Sequence, residues 1–96
     1  MLEQFDKAFE SRIRLQIMSV LAANESYDFS SLKELLEVTD GNLASHLKAL
    51  EKEAYIAVNK SFVGRKPNTR YVATEDGIEA FKRHLKSLEK LIKQQK

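Results

Sequence analysis

Apolar residues step along the first half of the chain in threes and fours, the spacing of one helical face. Leu2, Phe5 and Phe9 set out a first short helix within residues 1–10. Ser11 is placed to cap a second, whose apolar face is Ile13, Ile17, Met18 and Leu21. Asn24 to Asp28 reads as a polar connection, after which Ser30 or Ser31 caps a short helix turning Leu32, Leu35 and Leu36 inward. Thr39 or Asp40 caps the next, over residues 40–53, with Leu43, Leu47 and Leu50 facing the core. Beyond Ala54 the period shortens: Ile56 and Val58 alternate with Ala57 and Asn59, and Phe62 and Val63 follow, which reads as a strand. Gly64-Arg65-Lys66-Pro67-Asn68 interrupts it as a turn that neither a helix nor a paired strand would hold in its interior. Tyr71-Val72-Ala73 returns as a second strand, and Thr74 caps a long last helix over residues 75–96.

Two short helices joined by few residues meet the requirement of a helix-turn-helix, and a hairpin directly after them stands where a wing would. The expected fold is therefore mainly α (α+β), a winged helix-turn-helix with a two-stranded wing and a long C-terminal helix. At 96 residues the chain reads as one domain, residues 1–96.

The helix over 40–53 has the makings of a reading element. With Leu43 as reference and about 100° per residue, Leu47 and Leu50 lie within roughly 40° of it, while Gly41, Ser45, Lys48 and Lys52 fall opposite. Asn42 and Ala49 sit on one shoulder. Short polar residues near the N-terminus and cations further along suit a helix laid in the major groove. Asn42 can pair with adenine through two hydrogen bonds, Ser45 can reach a base edge or phosphate, and Lys48 suits a phosphate. His46 lies beside the core face, either as a half-buried structural histidine or as a further DNA contact. A polar outer face is common on any surface helix, so this helix alone does not decide the function.

Charge distribution adds to the picture. Residues 1–59 hold 6 Lys/Arg and 10 Asp/Glu, a net −4, whereas residues 60–96 hold 10 and 4, a net +6. Four of the latter cations, Lys60, Arg65, Lys66 and Arg70, cluster on the expected wing, 60–71, with no acid among them. A basic hairpin beside a reading helix can follow the phosphate backbone or place an arginine in the minor groove. A solvated loop that aids solubility accounts for charge in general but not for its concentration at this place.

Here the residues resemble the winged helix-turn-helix transcriptional regulators of the MarR/ArsR type, most closely the small single-domain branch with a long C-terminal helix. The likeness rests on Arg14-Leu15-Gln16-Ile17-Met18, on DGNLASHLKALEKEAYI (40–56) and on KSFVGRKPNTRYVATEDG (60–77). Within these, Ser45-His46-Leu47-Lys48-Ala49-Leu50 looks like the Ser-His-Leu-containing run of ArsR-type reading helices, and Tyr71-x-x-Thr74-x-x-Gly77 like the usual junction between strand and last helix. The resemblance implies sequence-specific binding of duplex DNA by a homodimer, usually to repress transcription, with contacts at the matching positions Asn42, Ser45, His46, Lys48, Lys60, Arg65, Lys66 and Arg70; the lack of cysteine fits a reducing, cytoplasmic compartment. The chain departs from the family pattern at Ala54, where glycine often ends the reading helix, and at Ala73, where a larger aliphatic is common. It also has no cysteine and only two histidines, His46 and His84, so the metal sites of ArsR-type sensors are not expected and no cofactor is implied.

Ile78, Phe81, Leu85, Leu88 and Ile92 step by 3, 4, 3 and 4, a heptad seam. Two copies packed along this seam, joined by Leu2, Phe5 and Phe9, form the expected dimer interface, and the two-fold axis predicts a near-palindromic operator. The same stripe folded back on its own core is the plainer reading. Remaining classes are narrowed by composition. The longest aliphatic run, Val20-Leu21-Ala22-Ala23, is far too short for a membrane span, and the N-terminus lacks the pattern of a secretion signal. Neither a Gly-rich phosphate loop nor a nucleophile motif points to an enzyme. A winged helix serving only protein–protein assembly is the alternative, against which the clustered cations of the wing argue.

Overall fold

The computed structural model describes residues 5–94. A 3-10 turn at Lys7–Phe9 leads into α1 (Arg12–Ala23), β1 (Tyr27–Asp28), α2 (Phe29–Leu36), α3 (Asp40–Lys52), β2 (Ile56–Val63), β3 (Lys66–Ala73) and α4 (Glu75–Lys93). Capping residues fix most of the helix starts. Ser11 Oγ accepts the Arg14 N–H, Thr39 Oγ1 accepts the Asn42 N–H and Thr74 Oγ1 accepts the Gly77 N–H, each satisfying one of the amides a helix start leaves free.

The core gathers beneath α1 and α3. Ile17, Met18, Leu32, Leu43, Leu47 and Leu50 are almost completely buried, as the helical spacing requires, and Ile56 and Tyr71 close it from the sheet. Phe9 sits at one end, stacked on Tyr55 with centroids 5.5 Å apart and edge-on to Phe81 at 5.9 Å.

Four expectations are corrected. The first helix is reduced, among the described residues, to the Lys7–Phe9 turn, and Leu2 lies outside them. Its Phe9 is a core residue of its own chain, 2% exposed. The connection ending at Asp28 is not wholly irregular: Tyr27 and Asp28 pair with Tyr71 and Arg70, which makes a three-stranded sheet in the order β1-β3-β2. A strand of two residues carries no readable alternation. Asp28, not Ser30 or Ser31, caps α2, its carboxylate accepting the Ser31 N–H at 3.1 Å and the Ser31 hydroxyl at 2.6 Å. These bonds hold the Asp28 carboxyl below its usual range. Leu35 does not turn inward but is 53% exposed.

The wing turn is also tighter than expected. Only Gly64 and Arg65 form it, and Lys66-Pro67-Asn68 belong to the paired strand β3, opposite Val63, Phe62 and Ser61. Gly64 has φ 68° while Arg65 is not left-handed, the arrangement of a two-residue II′ hairpin turn, which asks for glycine first. Pro67 is admitted because β3 has one neighbour there. Val63 and Lys66 flank the turn as a hydrogen-bonded pair, so the next position directs its N–H away from β2.

Candidate nucleic-acid interface

The turn between α2 and α3 is built from two unusual backbone features and one ion pair. Glu37 ends α2 in a left-handed conformation, φ 54°, and Val38 N–H reaches back to the Lys33 carbonyl. Lys33 Nζ then meets Asp40 Oδ1 at 2.9 Å, neutralising the one acid in the first turn of α3. A negative charge there would otherwise stand where an anionic ligand approaches the helix N-terminus.

On α3, Gly41, Asn42, Ala44, Ser45 and Lys48 are all exposed, on the side away from Leu43, Leu47 and Leu50. A methyl group on Gly41 would meet nothing within 4 Å, so the residue leaves the helix start open rather than relieving a clash. His46 is half-buried, and burial, aided by the charge of Arg14, holds its pKa below the ordinary value. His46 thus lies at the flank of the exposed face, with burial and Arg14 both disfavouring its charged form.

At the far end α3 stops in the left-handed conformation that the sequence leaves open: Ala54 has φ 62°. Tyr55 N–H bonds to the Leu50 carbonyl at 3.0 Å and Ala54 N–H to Glu51 at 2.9 Å, a glycine-type helix ending occupied by alanine.

The wing places Lys60, Arg65 and Lys66 at its exposed outer end. Arg70 has a different position. Its Nε donates to Ser26 Oγ at 2.7 Å, a second nitrogen donates to the Ser26 carbonyl at 3.3 Å, and a third lies 3.8 Å from Asp28 Oδ1. Arg70 is therefore a brace that clamps β1 to β3, and it is removed from the free cations of the wing. No local pattern in the sequence marks Ser26 and Asp28 as its partners, since Ser26 is reached across 44 positions. Phe62 and Val63, read there simply as strand residues, are 73% and 67% exposed on the same tip.

The seam of α4 divides. Gly77, Ala80, Phe81, His84 and Ser87 form the buried face, so Phe81 packs within its own chain together with Phe9. Leu85 and Ile92 are 42% and 69% exposed, with Ile78 and Leu88 half-buried beside them. Phe5 is half-buried and lies edge-on to His84 at 5.3 Å. His84 itself accepts the Asp6 N–H through Nδ1 at 3.1 Å, and burial lowers its pKa although Asp6 and Glu10 pull the other way. The Asp6 carboxylate accepts both the Ala8 N–H and the Tyr55 hydroxyl, which pushes the Tyr55 pKa up to about 12.

Gly77 is fixed by a close approach. A Cβ there would lie 2.1 Å from the Tyr55 carbonyl oxygen, which also accepts the Thr74 N–H at 3.0 Å. No helix among the described residues is long and apolar enough to cross a membrane.

A family model for winged helix DNA-binding domains matches residues 13–92. An uncharacterized protein of Methanocaldococcus jannaschii is 37% identical over 87 residues, covering 91% of this chain and 95% of its own. Among solved structures, a transcriptional regulator homologue from Pyrococcus horikoshii superposes with a TM-score of 0.80 at 33% identity, over 95% of each chain. A PadR family transcriptional regulator from Eggerthella lenta (TM-score 0.70, 21% identity, 88% of this chain and 81% of that one) shares the fold. So does a zinc-responsive MarR family member from Lactococcus lactis, at 0.65 and 22%, over 85% of this chain and 56% of that one.

Proposed function

The chain belongs to the winged helix DNA-binding domain family and is a DNA-binding transcriptional regulator; from that premise we propose that it acts as a homodimer on a near-palindromic duplex. In this reading α3 lies in the major groove, where Asn42 and Ser45 face base edges and Lys48 a phosphate. Lys60, Arg65 and Lys66 follow the backbone and adjoining minor groove. Arg70 is left out of the contact set because its guanidinium is committed to Ser26 and Asp28.

One observation carries the reading. A small polar helix face and a cationic hairpin tip are exposed together on one chain, and the ion pairs among the described residues, Lys33–Asp40, Arg70–Asp28 and Lys93–Glu89, do not engage Lys48, Lys60, Arg65 or Lys66. Cations without internal partners are free to replace the counterions of a phosphate backbone.

The dimer rests on α4. Ile78, Leu85 and Ile92 recur every seventh residue on a side of the helix that its own chain leaves largely uncovered, the spacing of a two-helix seam. A two-fold axis there sets two reading helices about 34–36 Å apart, one duplex turn. Regulation by repression is the expected outcome of occupying an operator.

Titration of duplex DNA at several salt concentrations tests the reading. Each phosphate contact steepens the log–log slope by about 0.9, so Arg65→Ala, which removes one contact from each protomer, flattens it by about 1.8. Asn42→Ala relaxes preference at one base position by about 1–3 kcal/mol. Sedimentation of Leu85→Glu against the wild type tests the seam. DNA affinity that does not vary with salt would end the proposal.

A further inference from the structure

Along β2 the side chains alternate, and Ile56, Val58, Lys60 and Phe62 share one face. At the base this face closes the core, with Ile56 buried and Val58 opposite the buried Tyr71. Two registers further out the same face has left the core behind. There Phe62 stands opposite Pro67, 73% exposed, next to Lys60 on its own strand and the Arg65–Lys66 corner. A phenylalanine held this far into water by a paired strand is not a packing residue of its own chain.

Its surroundings select the occupant. The flanking cations favour a polyanion, and the hairpin follows directly on α3, whose polar face is exposed. Pro67 removes a rotatable φ from the position opposite the ring, so the ring projects from a stiffened support. The outer end narrows to the two-residue turn at Gly64–Arg65, and a minor groove about 6 Å wide admits side chains from such a tip rather than the whole ribbon. Resting on the DNA-binding reading above, we infer that Phe62 is an apolar wedge, entering the minor groove beside the Arg65 contact and partly unstacking one base step. Apolar residues used in this way kink a duplex by about 20–90°. The wing then contributes shape selection, favouring steps that unstack easily, such as TA and CA.

The test uses duplexes of about 30 base pairs recovered by selection from a random pool on the wild-type protein, labelled at both ends for energy transfer and carrying 2-aminopurine at the contacted step. Phe62→Ala is expected to bind about tenfold more weakly, with an unchanged salt slope, a smaller bend and quenched 2-aminopurine, since it removes an apolar contact and no charge. Phe62→Leu, still apolar, keeps part of the bend. The side chain is exposed, so circular dichroism and melting of both variants should match the wild type. If Phe62→Ala retains the wild-type bend, whether or not affinity falls, the wedge is overturned while the DNA reading stands. If the wild type recovers no duplex, or binds phosphatidylserine vesicles through Phe62 instead, the DNA reading and the wedge fall together.

Discussion

Replacing Ala54 by glycine should stabilise the protein, although it removes a methyl group. Ala54 is exposed, so its Cβ contributes little burial, yet it holds φ 62° at the end of α3. An L-residue in this conformation costs about 1–2 kcal/mol through the crowding of Cβ against the backbone. Glycine escapes that cost but surrenders about 0.5–1 kcal/mol more chain entropy on folding. The balance favours Ala54→Gly by about 0.5–1 kcal/mol, or roughly 3–6 °C in Tm for a domain of this size. The same substitution at Ala44, exposed within α3, should go the other way by about 1 kcal/mol, because there the helix interior penalises glycine. Urea unfolding followed by circular dichroism reads both, with midpoints moving in opposite directions and slopes unchanged. An Ala54→Gly variant no more stable than the wild type would refute the left-handed ending of α3 and the reasoning built on it.

Gly77→Ala should destabilise by about 3 kcal/mol or more, read by thermal melting, since its Cβ would meet the Tyr55 carbonyl at 2.1 Å, a backbone atom with no way to yield. Tyr55→Phe should cost about 1 kcal/mol in urea unfolding, by removing a hydrogen bond to the Asp6 carboxylate at a half-buried site. Burial lowers the His84 pKa below the unfolded value of 6.5, so below about that pH the unfolded chain takes up more protons than the folded one. Stability should therefore be level above that pH and fall as acid is added; His84→Gln, less stable at neutral pH, should show a shallower fall in melting temperature, with the similarly lowered His46 supplying the remainder. Arg70→Ala should lower stability by about 1 kcal/mol and leave the salt slope of DNA binding unchanged, whereas Arg65→Ala should do the reverse.

Periodicity and capping made much of this fold legible. Leu43, Leu47 and Leu50 announce the buried side of α3 because a helix repeats every 3.6 residues; Ser11 and Thr74 announce two of the starts, and the Thr39-Asp40 pair, of which Thr39 is the cap, a third. The two residues of β1 were illegible since their pairing is decided by Tyr71 and Arg70, far along the chain. The α4 seam was legible as apolar but not as divided. Heptad spacing marks Phe81 and Leu85 alike, while only the presence of Phe9 decides that Phe81 is spent inside the chain. Of the candidate interface, the exposure of Asn42, Ser45, Lys48, Lys60, Arg65 and Lys66 follows the sequence reading. Arg70 departs from it because a cation pattern records charge and not the partner that has already claimed it.

The contact at Gly77 reaches beyond stability. At the Tyr55 carbonyl the end of α3, the root of the hairpin and the start of α4 meet through bare backbone, fastened by the Thr74 amide and by the Thr74 hydroxyl on the Ala54 carbonyl at 2.8 Å. The one side chain that takes part is the short, β-branched Thr74, so the angle between α3 and α4 has little room to adjust. In a pair of chains joined along α4, that angle becomes a ruler. The distance between half-sites that such a pair can span is cut into the joint itself, and an operator one base pair too long would have to deform in place of the protein.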